Sequence, residues 1–212
     1  MAAWGDWVIY SPRKLLGVSD GGVGVCRHPD RTILVLDPVK DHDRLMLRLA
    51  PLFARFEDAA EDDNDAWYAT FRTAERLPEP GYGIAMSKLT QAILKTMPID
   101  PIREKRQHNA RVLHHGVPPA GRIMQPPPES PLLRYQIVLE SNRDEIADGL
   151  RSTNIFCAVH WRALPPGVRS DAAAHRLAEH VLTLPCDQRY GTGEMNWMLE
   201  ALRDARIDSS VK

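Results

Sequence analysis

The residues best suited to chemistry stand together near the start of the chain: Ser11, Arg13 and Lys14, followed by Asp20-Gly21-Gly22. A protonated amine is a poor nucleophile. Burial or a nearby positive charge makes it less basic, and it can then attack a carbonyl to form a Schiff base. Lys14 is such an amine, and Arg13 supplies such charge. Ser11, three residues before the lysine, offers a hydroxyl that can hold a phosphate oxygen. Amine, cation and hydroxyl are the parts needed around pyridoxal phosphate. The ordinary alternative is a solvated lysine just past a strand end.

Two strands must position these groups. Trp7, Val8, Ile9 and Tyr10 are aromatic or β-branched and predict a strand over 7–11. Pro12 ends its ladder because it lacks an amide donor. Asp20-Gly21-Gly22 is a turn signal, and its glycines let backbone approach a neighbour closely. A second strand is expected over 22–27, and a short third one over 32–36.

Composition narrows the classes. With 212 residues the chain has room for one large domain or two small ones. It is 43% hydrophobic, enough for a core, and its net charge of −1 gives no general pull toward nucleic acid or an anionic membrane. Cys26, Cys157 and Cys186 lack CxxC spacing and read as reduced thiols, which points to the cytoplasm. No apolar run approaches the roughly 20 residues of a membrane span. The N-terminus has neither the basic nor the apolar region of a signal peptide.

Further along, residues 40–60 are helical by pattern, with Leu45, Leu49, Leu52, Phe53 and Phe56 recurring at helical steps and Pro51 inside. The acidic run 58–65 reads as a solvated turn or helix start, and a helix resumes to Arg76 with Trp67, Phe71 and Ala74 on one side. Ser87 can cap a helix presenting Leu89, Ala92, Ile93 and Met97. Residues 102–115 predict a long polar helix whose basic face could bind a phosphate or simply meet solvent. The proline-rich stretch 116–131 reads as a hinge. Beyond it, strands at 132–140 and 155–160, helices from Asn142 and Asp171, an extended 182–186 and a helix capped by Thr192 form a small α/β sandwich over 132–206. Residues 207–212 read as a tail.

Other chemistries have less support. Eight histidines show no HExxH and no Cys/His cluster, so no metal site is expected. A GxSxG elbow and a Gly-rich nucleotide loop are also missing. An arginine fork suits a substrate carboxylate, and Arg143, Arg162 and Arg189 all qualify. His160 and Trp161 fit either a cleft or a satisfied strand end.

The segment Tyr10-Ser11-Pro12-Arg13-Lys14-Leu15-Leu16-Gly17-Val18-Ser19-Asp20-Gly21-Gly22 resembles the cofactor-lysine segment of the DegT/DnrJ/EryC1/StrS aminotransferases. These are fold-type-I pyridoxal phosphate enzymes, many of which act on nucleotide sugars. Val159-His160-Trp161 and Leu182-Thr183-Leu184-Pro185-Cys186-Asp187-Gln188-Arg189-Tyr190 resemble the end of the same family's small domain. Arg106-Gln107-His108-Asn109-Ala110 is similar to a pattern on its connecting helix.

The resemblance implies that Lys14 carries the cofactor, that Ser11 touches its phosphate, and that Arg13, His160, Trp161 and Arg189 lie toward substrate. It implies an α/β fold, a partial fold-type-I transferase: residues 1–115 as the later part of the large domain with its connecting helices, then the hinge and the small domain. It also implies an amino acid donor, a keto-sugar nucleotide acceptor, and either a homodimer or pairing with a separate N-terminal half. In that family a region upstream of the lysine supplies the phosphate cradle, the ring-stacking aromatic and the aspartate on the pyridine nitrogen. The expectation is therefore a truncated enzyme, or a silent binding or assembly module.

Overall fold

The computed structural model describes residues 5–28, 30, 35–58, 64–77, 83–118, 133–140, 142–161, 164, 168 and 172–210. The chain divides into two compact units, Met1–Met97 and Pro98–Lys212. The mixed α/β character expected from the sequence is found, with two small sheets of two strands each among the described residues.

In the first unit, β1 (Trp7–Tyr10) pairs antiparallel with β2 (Val23–Cys26), Trp7 opposite Cys26 and Tyr10 opposite Val23. The connection opens with one turn of 3-10 helix, Pro12–Lys14, which suits the fixed φ of proline at a first helical position. Val18 and Ser19 are buried just beyond it. Gly21 follows at φ +95°, and a Cβ there would lie 2.7 Å from the Cβ of Met86. Both facts require glycine.

Helix α1 (His42–Asp58) then packs on α2 (Asn64–Glu75) through Leu49 and Ala74. Pro51 is accommodated inside α1. Phe53 and Phe56, expected inward, are exposed, Phe56 by 80%. Arg55 covers the Trp67 ring at 4.4 Å, a cation–π contact that shields one aromatic face. Helix α3 (Lys88–Thr96) begins at Ser87, whose hydroxyl accepts the Thr90 N–H at 3.1 Å, the capping read from the sequence.

The second unit holds α4 (Ile99–Gly116), β3 (Tyr135–Val138), α5 (Arg143–Ser152), α6 (Ala172–His180), β4 (Val181–Leu184) and α7 (Thr192–Ser210). Strands β3 and β4 pair antiparallel, Tyr135 opposite Leu184 and Val138 opposite Val181. Ala158 bridges antiparallel to Thr183. Strand β4 therefore has a neighbour on each edge. All four of its residues are buried, which is why Val-Leu-Thr-Leu shows no polar alternation.

Around it pack Ala110 and Leu113 of α4, Ile146 and Leu150 of α5, and Met195, Met198, Leu199 and Leu202 of α7. The three- and four-residue steps on α7 are the apolar stripe of an amphipathic helix. Each fully buried leucine contributes about 1.5–3 kcal/mol.

Several expectations shift. Helix α4 packs within the second unit, because Ala110 and Leu113 belong to that core. The strand expected over 132–140 is confined to Tyr135–Val138, and the one over 155–160 to the bridge at Ala158. Asn142 stands before α5 with left-handed backbone (φ 57°) and makes no side-chain cap bond. Helix α7 runs on to Ser210. The expected strand at 32–36 lies mostly outside the described residues, and Val35 and Leu36 join no strand. The acidic run and the hinge lie mainly outside them too.

Candidate active site

The lysine turn is built by local rules. Lys14 ends the 3-10 turn, and its backbone N–H reaches the carbonyl of Ser11 at 3.2 Å. Leu15 and Leu16 both donate to the Pro12 carbonyl, at 3.0 and 2.8 Å. Ser11 is the N-cap of this turn, outside the helix with φ −109° and ψ 88°, and its side chain makes no cap bond. Ser11 and Lys14 are both exposed. Arg13 turns elsewhere: its Nη1 donates to Glu75 on α2 at 2.7 Å. The pair is half exposed, so its worth is small, but it occupies the cation that would make the amine less basic.

The far end of the same connection is fixed by Asp20. Its Oδ2 accepts the Ser87 N–H at 2.7 Å, and its Oδ1 accepts the Ser87 hydroxyl at 2.8 Å and the Thr90 hydroxyl. A carboxylate on the first amides of a helix is favoured by the helix dipole as well as by hydrogen bonding. The sequence reading saw only a turn in Asp20-Gly21-Gly22. The signal available was an acid six residues past the lysine and a Ser-x-x-Thr helix start to receive it.

In the second unit the Arg106-to-Ala110 pattern has a structural purpose. Arg106 is buried, its Nε donating to Gln188 Oε1 at 2.7 Å and its Nη1 to the Leu133 carbonyl at 3.1 Å. Burial lowers its pKa, while Asp187 works in the opposite direction. Asn109 is fully buried and donates to the carbonyls of Asp187 and Tyr190, at 2.8 and 3.0 Å. The pair holds the 187–190 turn against α4. These two residues offer neither a solvated basic face nor a phosphate site.

Arg189 is likewise engaged. Its fork grips Asp187 at 2.7 and 2.6 Å, and its guanidinium lies 5.3 Å from the Tyr190 ring. Burial raises the Asp187 pKa, but the Arg189 fork outweighs it and leaves the carboxyl below the ordinary range. Arg143 sits against the Ala178 carbonyl and Asp144. Arg162 lies outside the described residues.

His160 and Trp161 form a tilted ring pair at 5.7 Å. Burial, helped by Arg134, lowers the His160 pKa, so its ring is neutral at neutral pH. Trp161 is 58% exposed with φ +54°, a left-handed conformation that is strained for a bulky residue. Burial pushes the Cys157 thiol up to about 12 and the Cys186 thiol up to about 11, which removes both as nucleophiles at neutral pH.

Other histidines serve as partners, His108 to the Thr192 hydroxyl at 2.7 Å and His114 to the Tyr135 hydroxyl at 3.0 Å. The structure thus gathers Ser11 and Lys14 on one turn and His160 with Trp161 on another, in different units.

No protein-family model and no curated protein matches the sequence. Solved structures do. The apo form of a candidate sugar aminotransferase from Streptococcus pneumoniae superposes with a TM-score of 0.52 at 16% identity, over 71% of this chain and 46% of that one. The pyridoxal phosphate form of the same protein gives 0.47 at 17% identity, over 68% and 44%. A DegT DnrJ EryC1 StrS aminotransferase from Brucella abortus gives 0.44 at 16%, over 67% and 44%. This chain spans less than half the length of any of them. At such identity the likeness is one of fold, and the first match carries it: a portion of an aminotransferase fold, as the sequence resemblance implied.

Proposed function

We propose that this chain carries the reactive lysine of a pyridoxal phosphate-dependent aminotransferase, one that moves an amino group from an amino acid to a keto-sugar nucleotide. The observation that carries the reading is the turn 11–14, in which Ser11 and Lys14 are both exposed. The aminotransferase fold supports it. Lys14 and Ser11 fit one edge of the cofactor, attachment at the amine and one contact to a phosphate oxygen. Among the described residues of the turn, nothing encloses a ring or pairs with its nitrogen. When bound, the cofactor supplies an electron-withdrawing ring. Lys14 Nζ would hold the cofactor and would act as the base that moves a proton. Ser11 Oγ would contact the phosphate, while Arg13 is engaged by Glu75.

Exposure of the hairpin favours a covering polypeptide, from a second copy or a separate chain. Ile9 is 82% exposed, and Tyr10, Val23 and Val25 are exposed with it. An open strand edge with apolar flanks is a pairing surface. The same exposure also supports a second reading, a binding or assembly module without catalysis.

Incubation with pyridoxal phosphate, borohydride reduction and peptide mapping tests the assignment. A reduced adduct concentrated on Lys14 is expected. Equal labelling of all six lysines, unchanged in Lys14→Ala at the other five, would leave the binding-module reading.

A further inference from the structure

We propose that Asp20 is the positioning residue of Lys14, acting as an internal anion that locks the lysine turn onto the start of α3. The inference rests on Lys14 being the reactive amine. Three donors converge on one carboxylate: the Ser87 N–H, the Ser87 hydroxyl and the Thr90 hydroxyl. Thr90 is fully buried and Ser87 nearly so, so the lock sits in a region water does not reach freely. Hydrogen bonds to a carboxylate are shorter and stronger than those to a neutral acceptor.

The lock is backed on both sides. Gly21, next in sequence, meets Met86 so closely that no side chain fits between them. On the other side Val18 is buried, and its N–H bonds to the Leu16 carbonyl at 2.9 Å. From Leu16 back to Pro12 the backbone is closed by its own hydrogen bonds, and Lys14 is inside that closed turn. Five residues, 15–19, therefore separate Lys14 from a fixed point, and hydrogen bonds or burial constrain most of them. A reactive group held this way keeps one approach direction, which is what orientation contributes to catalysis. Without the lock the twelve-residue connection between β1 and β2 loses its tie to α3 and gains conformational freedom.

The experiment uses the full chain with Asp20→Asn, and Thr90→Val as a milder change that removes one donor at constant volume. Two quantities are read. The first is amide hydrogen exchange over residues 11–22, with α4 to α7 as the internal control for folding. The second is the share of borohydride-trapped pyridoxal phosphate found on Lys14 relative to the other five lysines.

Asp20→Asn is expected to raise exchange in 11–22 while leaving the control unchanged, and to lower the Lys14 share on the order of tenfold. Thr90→Val should do the same to a lesser degree. A change that only loosened the fold would lower stability without altering the distribution among lysines. If wild type prefers Lys14 and Asp20→Asn keeps that preference, or leaves exchange in 11–22 unchanged, the inference is overturned and the functional reading stands. A wild type without preference for Lys14 overturns both.

Discussion

The helix α4 surface and the lysine hairpin present opposite treatments of polar groups. On α4, Arg106 and Asn109 are buried and spend their donors on the chain's own carbonyls and on Gln188. On the hairpin, Ser11 and Lys14 are exposed, and apolar neighbours such as Ile9 stay in the open. The first region is finished by its own chain. The second leaves polar groups and apolar area exposed to solvent. Polar residues alike in the sequence thus divide by whether local geometry has already used them.

That contrast can be broken most forcefully in the core. Leu113→Ala should destabilise the second unit by about 3 kcal/mol, read as a lower melting temperature, because a fully buried leucine leaves a cavity among α4, α7 and the sheet. It should leave exchange over 11–22 unchanged. Gly21→Ala should cost about 2 kcal/mol in the first unit, since it combines a disfavoured φ with a clash on Met86. Its effect should appear as faster exchange in 11–22 and slight loss of α3 protection.

Acid sharpens the comparison in the other direction. Asp187 is held below its ordinary pKa by Arg189, so its stabilisation is complete above the unfolded carboxylate value and disappears as pH falls through the lower folded one. As pH falls below the ordinary carboxylate range, the second unit of the wild type should lose stability more steeply than that of Asp187→Asn. Equal slopes in the two proteins would show that the fork contributes nothing. Lys14→Ala is the smallest change in stability, within about 0.5 kcal/mol, because its side chain is exposed. It should still abolish the trapped adduct.

Much of this organisation was legible beforehand. Strands β1 and β2, the Ser87 cap and the apolar stripe of α7 follow from spacing and side-chain type alone. Phe53 and Phe56 misled because their helical steps match Leu49, while the width of contact with α2 decides how much of that face is covered. The Arg106 and Asn109 pattern looked like a basic face, since a sequence shows charge and not the carbonyls 80 residues away that receive it. Arg13 had the same fate through Glu75. The lysine turn was found from residue types three apart, but the Asp20 lock depends on α3, whose position no local rule supplies.

Helix α6 passes into β4 with no residue between them: His180 closes the helix and Val181 opens the strand. The His180 carbonyl already serves the sheet, accepting the Leu139 N–H at 3.0 Å. Such a joint has no slack. One added residue there would slide Thr183 into the layer now filled by Leu182 and Leu184 and shift every pairing with β3. Relatives of this chain should vary in length around it, while the distance from the helix to Thr183 stays constant to the residue.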